Sequence, residues 1–254
     1  MRNSYKLILA VIVVMMSVPT TSSAKFPGVL QRMHLGYSFL MNSAEYKVHQ
    51  KITIPDFAKD TNYRFDMKTS ATFGVTLGTH VPIKRLGRKS KLVLGIDGMY
   101  NMMLWDSKLK MYDAGGTVIE TPFSGATLQL ALPTGLDFKF GCDALNVKNI
   151  RFCTTLGAGV YPSYSITALD QMESIDPQFG IAPYAKFEVG VLAGICVKLR
   201  AIYAIGNLAY ADETIKNDIS NTRSQLMGTS NLTLSLLVMP FSWTWPREEW
   251  WNTY

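Results

Sequence analysis

Between residues 69 and 238 large apolar side chains recur at every second position, with small or charged ones between them. Ala71, Phe73, Val75 and Leu77 alternate with Thr72, Gly74, Thr76 and Gly78. Leu128, Leu130, Leu132, Leu136 and Phe138 alternate with Gln129, Ala131, Gly135, Asp137 and Lys139. Successive side chains of a strand point to opposite faces, so each segment has one apolar face and one polar, sterically modest face. A sheet built this way needs an apolar medium on one side only. If that medium is lipid, an open edge leaves backbone groups unpaired, and the sheet must close on itself. The pattern therefore predicts an all-β fold: a single antiparallel up-and-down transmembrane β-barrel of about eight strands, apolar outside and polar within.

Eight segments carry the alternation: 34–41, 68–80, 91–104, 126–140, 150–161, 181–191, 195–205 and 229–239. Each is close to or above the ~9–11 residues that cross a bilayer at a tilt. The connections sort by length. Those at 42–67, 105–125 (with the Gly115-Gly116 pair), 162–180 and 206–228 are long and polar, whereas 81–90, 141–149 and 192–194 are short. Alternating long and short connections match extended external loops and tight periplasmic turns, with both termini periplasmic. Around 192–194, pairing Val191 with Ile195 sets Glu188 against Lys198 and Lys186 against Arg200, while a slip of one residue sets apolar against charged positions. Pro133 removes a ladder hydrogen bond, which predicts a bulge or a strand split there, and Pro162 stands where the fifth strand is expected to end.

The chain starts with Arg2 and Lys6, an apolar stretch at 7–16 and the small-residue run Ser22-Ser23-Ala24. This is the pattern of a secretory signal peptide cleaved after Ala24, and the stretch is shorter than the ~20 residues of a spanning helix. The expected organisation is a signal peptide at 1–24, a barrel at 25–241 and a Trp-rich tail at 242–254. Losing Arg2 and Lys6 takes the formal net charge from +6 to +4. The cations are scattered among turns and strands, so no nucleic-acid partner is expected, and outer-membrane lipid is the first partner to consider. Cys142, Cys153 and Cys196 are odd in number and carry no metal-ligand spacing. Cys153 and Cys196 fall on strands that are not neighbours, which places them out of reach of a bridge. All three read as small core residues, and no metal or cofactor is expected.

The block at 128–140, the glycine-spaced run Leu156-Gly157-Ala158-Gly159-Val160, the block at 186–206 and the last strand at 232–238 resemble the eight-stranded outer-membrane β-barrel superfamily. More narrowly they are similar to the PorT-like and OmpA-like barrel domains of Bacteroidetes type. The resemblance implies a barrel in the cell outer membrane, reached by Sec export. It also implies a terminal aromatic that closes the last strand. Phe241 falls at that place, and the chain continues to Tyr254.

Inside such a barrel the alternation places Asp97, Asp137, Lys139, Arg151, Lys186, Glu188, Lys198 and Arg200. They form either a polar path for an anionic solute or an internal salt-bridge network that plugs the barrel. An eight-stranded barrel is only wide enough for side chains to fill it, and both signs are present, which favours the plug. Trp105, Trp243, Trp245, Trp250 and Trp251 read as interfacial aromatics at headgroup depth, joined by Tyr100, Tyr161 and Tyr203, with partner docking as the second reading of the tail. The basic run Lys84, Arg85, Arg88, Lys89 and Lys91 reads as a solvated periplasmic turn. No catalytic arrangement is legible: of the three histidines only His49 lies on the outer side near hydroxyls, those of Ser43 and Thr53. The leading expectation is a monomeric, non-enzymatic envelope protein with a structural, interaction or secretion-accessory role through its external loops, where other envelope proteins would bind. A narrow solute channel, a lipid A acyl hydrolase or acyltransferase, and a soluble lipid carrier with an apolar interior are the alternatives.

Overall fold

Every alternating segment is a strand. The structure is a computed structural model describing residues 28–246 except 55–56, 113–117, 171, 173–174 and 217–219. The expected leader, the Gly115-Gly116 pair, Trp250 and Trp251 lie outside the described residues. The strands are β1 (His34–Ile54), β2 (Phe57–Arg85), β3 (Ser90–Tyr112), β4 (Val118–Ala131), β5 (Thr134–Gly141), β6 (Phe152–Leu169), β7 (Gln178–Ala193), β8 (Ile195–Lys216) and β9 (Ser220–Met239). One helical turn, α1 (Cys142–Leu145), interrupts the strands between β5 and β6.

All pairings are antiparallel, and β1 bonds to both β2 and β9, which closes the sheet. β4 and β5 both lie between β3 and β6, so they are two segments of one stave in a ring of eight. The split falls at Pro133, which cannot donate. The ladder resumes around it: Leu132 N–H donates to Pro162 O at 2.9 Å and Asp97 N–H to Pro133 O at 3.0 Å. Pro162 does not end a strand; β6 runs through it to Leu169. A proline costs only its own donor, and its carbonyl still serves the neighbouring stave.

Two expectations of detail are corrected. The β7–β8 register is offset by two residues, pairing Ala193 with Ile195, Val191 with Val197 and Glu188 with Arg200. Gly194, at φ +84°, makes a tighter turn than the three-residue loop expected. A two-residue offset preserves every face and changes every partner. The long connections are also mostly strand: β1 and β2 pair continuously from Ser43 with Lys68 to Ile54 with Phe57, and β8 with β9 up to Lys216 with Asn221.

β2 is 29 residues long, far beyond a bilayer crossing, and its faces exchange partway. From Phe73 to Ile83 its outward residues include Phe73, Val75, Leu77, Val81 and Ile83, about the length lipid requires. Toward Phe57 the outward residues are Arg64, Asp66 and Lys68, while Phe65 and Met67 turn inward to the core. The apolar stripe stays on odd numbers throughout. Ser70, an extra residue between the pairs Thr69 with Trp105 and Ala71 with Leu104, rotates it from inside to outside. β9 repeats the device at Thr229, with Leu226 inside above it and Leu234 and Leu236 outside below.

Candidate functional site

Below these bulges the lumen is charged. Asp97, Asp137, Lys139, Lys186, Glu188, Lys198 and Arg200 are all buried, with Lys139 and Lys198 each only 1% exposed. Arg151 is not among them: it precedes β6 and is exposed, because the strand starts after it and its alternation does not apply. Its place is taken by Asp143, on a helical turn the sequence offers only as a loop. Asp143 accepts from Lys198 Nζ at 2.6 Å and pairs with Lys139. Glu188 accepts from Arg200 Nε at 2.6 Å and lies 3.5 Å from Lys198 and 3.9 Å from Lys139. Asp97 meets Arg200 Nη1 at 3.0 Å and Lys186 at 3.7 Å, and Asp137 accepts from Lys186 at 2.6 Å. His34 enters as well, its Nε2 lying 2.6 Å from Asp97 Oδ1. Asp97, Asp137, Asp143 and Glu188 thus face Lys139, Lys186, Lys198 and Arg200, four charges against four. Such ions are tolerable in a dry interior only when paired and hydrogen-bonded on all sides.

Above the charges lies a layer of hydroxyls and amides. Ser38 bonds Thr76 at 2.6 Å and Ser235 at 2.7 Å, and Asn101 Nδ2 donates to Gln129 Oε1 at 3.1 Å. Higher still the lumen holds Met67, Met103, Trp105, Phe123, Leu208, Tyr210 and Leu226, with Tyr46 tilted against Phe123 at 4.9 Å between centroids. Trp105 therefore does not sit at headgroup depth: it is buried, its indole N–H donates to Thr127 Oγ1 at 2.8 Å, and it packs on Tyr210. Tyr161, also expected in the girdle, is fully buried. Both have inward parity at the level where the interior turns apolar, and lumen volume claims them. Tyr100 and Tyr203 are exposed on the outer wall.

The tail divides in the same way. Trp243 is 61% exposed beside the lower end of the wall, but Trp245 is 1% exposed and its N–H donates to Gln31 O at 3.0 Å. A 3-10 turn at Pro240–Thr244 folds the chain back under the barrel and inserts Trp245 instead of leaving it at the interface.

Trp245 covers the three cysteines. Cys142, Cys153 and Cys196 are buried and free, and their sulfurs all lie within 4.8 Å of one another. Neither chain spacing nor strand adjacency reveals this, since β7 lies between β6 and β8. The reason is Gly190 of β7: a Cβ there would come within 2.8 Å of Cys153 Sγ. Its missing side chain opens the wall for the thiols to meet.

The exterior carries Tyr37, Phe39, Leu130, Leu132, Phe187, Leu199, Leu234 and Leu236, all exposed and forming a continuous apolar belt. That is far more apolar surface than a water-soluble monomer shows. With apolar residues outside and charges inside, the soluble-carrier alternative is the reverse of what is observed. The chain is a transmembrane β-barrel. Among the described residues no helix is long and apolar enough to cross a membrane.

No family model matches the chain, and no curated protein matches it. Among solved structures it is similar to Ail, the attachment invasion locus protein of Yersinia pestis, at 9% identity and a TM-score of 0.26, covering 78% of this chain and 98% of that one. It is also similar to a Pseudomonas aeruginosa FadL homologue at 6% identity and a TM-score of 0.21, covering 83% and 90%. Likenesses this faint carry no weight; the closed ladder and the two faces of the wall establish the barrel.

Outside the belt, the β1–β2 hairpin presents Lys47, His49, Lys51, Arg64, Asp66 and Lys68 to water, and β8–β9 presents Asp212 and Arg223. Arg223 donates to Asp212 through Nε at 3.0 Å and Nη2 at 2.7 Å, and those bonds hold the Asp212 carboxyl below the usual carboxylate range. His49 lies 2.6 Å from Asn62 Oδ1 and 3.4 Å from Asp60. Ser43 is six residues along the same strand, roughly 20 Å away, so these two do not form a nucleophile–base pair.

Proposed function

We propose that the protein is a sealed, non-enzymatic platform of the outer membrane, holding a rigid, polar-walled barrel extension outside the cell for interaction with other envelope components or surfaces. The observation that carries this reading is the extension itself. Three strand pairs, β1–β2, β3–β4 and β8–β9, continue past the lipid belt, present polar residues outward and enclose an apolar core, as a water-soluble β-barrel does. A protein selected only to fill membrane has no use for that construction. Loops and edges mounted on a rigid scaffold are where binding sites commonly lie.

Three further features support it. The paired buried charges and the apolar side chains above them occupy the lumen, which argues against the solute channel. His49 is engaged by Asn62 and Asp60 and is far from Ser43, which argues against an acyl hydrolase or acyltransferase. The basic turn around Lys84, Arg85, Arg88 and Lys89, at the opposite end, is exposed and suits the periplasmic headgroup region. On this reading residues 1–24 are removed during Sec export, the short-turn end faces the periplasm, and the chain acts as a monomer in contact with outer-membrane lipid. The narrower likeness to PorT-like barrels points toward a secretion-accessory role.

The test joins topology to conductance. Protease added to intact cells should cut only in the connections between β1 and β2, β3 and β4, β6 and β7, and β8 and β9, and purified protein in planar bilayers should stay electrically silent. Cuts at 84–91 from outside would invert the orientation, and steady conductance steps would replace the platform with a channel.

A further inference from the structure

Sulfur chemistry at the periplasmic end is used by nothing described so far. Cys142 on α1, Cys153 on β6 and Cys196 on β8 come from three separate elements, are free, and direct their sulfurs to one point. We propose that these three side chains form a binding site for one soft, thiophilic cation, Cu(I), held by three sulfurs.

The distances fit such an ion. Metal–thiolate bonds of about 2.3 Å around a trigonal centre place the sulfurs about 4.0 Å from one another. Cys153 and Cys196 are 4.0 Å apart, and all three sulfurs fall within 4.8 Å. Cys153 and Cys196 stand two strand spacings apart, roughly 9–10 Å between backbones and beyond the ~7 Å that a disulfide spans, so bridging them requires the walls of the barrel to close up.

The surroundings choose the metal. Met239, Trp245, Ile150 and Leu192 pack around the sulfurs, giving an apolar shell that includes a thioether. Zn²⁺ on three protein ligands completes its tetrahedron with water, which this shell does not favour, whereas Cu(I) is selected by thiolate and thioether ligands. Thiols release protons as they take up a metal, and the negative charge that builds up needs compensation. Lys198, two residues from Cys196 on the same inward face, is a buried cation near the site, shared with Asp143 and Glu188.

The ligands are also held from behind. Cys196 N–H donates to Ser242 Oγ at 2.7 Å, and Ser242 Oγ–H donates to Met239 O at 2.7 Å. Trp245 is tied to Gln31. These bonds give the inserted tail a purpose: it orients one ligand and seals the cluster from water.

The experiment titrates the purified, folded barrel in detergent with Cu(I) under a reductant, against a chromophoric Cu(I) chelator. One copper per chain is expected, with thiolate-to-copper absorption in the near ultraviolet. Cys142→Ser, Cys153→Ser and Cys196→Ser should each weaken binding by more than the roughly 10–100-fold that loss of a supporting group costs. Heat-modifiable gel migration checks that each variant is folded. Copper-edge X-ray absorption on the wild-type chain, which needs no variant, should show sulfur scatterers alone. Retained binding in the triple serine variant, nitrogen or oxygen scatterers, or displacement of Cu(I) by Zn²⁺ would overturn the proposal. So would a disulfide among the three cysteines in protein alkylated directly from cells.

Discussion

At the level of the lipid belt, Glu188 stands among Arg200, Lys198 and Lys139. Higher in the same lumen, beyond the bulges, Trp105, Tyr210, Met103 and Phe123 fill the cross-section with rings and a thioether. The two regions are mirror images in polarity. Where lipid lies outside, charge lies inside; where water lies outside, the core is apolar. The difference teaches that one wall can serve two solvents if its faces exchange, and that in β2 and β9 the exchange takes one extra residue. It also predicts different tolerances. Buried ions depend on every partner, while an apolar core accepts any side chain of similar volume.

Deleting Ser70 should have the largest effect. Without the extra residue, either Arg64 and Asp66 turn into the upper core or Phe73 and Val75 turn away from lipid. The outer β1–β2 hairpin should become protease-sensitive over its whole length in intact cells, while Ser70→Ala, which keeps the bulge, should leave the wild-type pattern. A normal cleavage pattern in the deletion would show that the bulge does not set the faces.

Next in size is Glu188→Gln, which keeps shape and removes charge. It leaves Arg200 and Lys198 short of a counter-ion and should cost about 3–5 kcal/mol in urea unfolding from detergent micelles. Met103→Leu, an equally small change in volume in the upper lumen, should cost less than about 1.5 kcal/mol. Similar losses for the two would erase the distinction between the regions.

The smallest effect is at the outer rim. The Asp212 carboxyl is held below its ordinary range by Arg223. Its contribution is therefore present above the unfolded value of ~3.9 and is lost as pH falls through the folded one. Asp212→Asn should remove that acid dependence without changing the β8–β9 pairing, and the water-exposed site keeps the shift in melting temperature minor.

How much was legible in advance depended on period. Alternation at every second residue identifies strands, their count and their lipid-facing side, and it correctly turned Asp97, Lys186, Glu188 and Arg200 inward. It marked the break at Pro133. It did not identify partners, because parity survives a two-residue shift: Glu188 faces Arg200, and not Lys198. Nor did it locate Asp143, which lies on a turn without alternation, or Trp105 and Tyr161, whose aromatic character argued for the interface although their inward parity was readable.

The sequence by itself determined that this chain is a closed β-barrel with lipid outside, since no other fold satisfies an alternation so long in a medium without water. The folded chain alone reveals that the long connections are strands, that Trp245 closes the short-turn end, and that three distant cysteines meet. Each of those depends on an irregularity: an added residue, a fold-back turn, or the absent side chain of Gly190. Irregularities carry no period, and their consequences appear only once the neighbouring staves are in place.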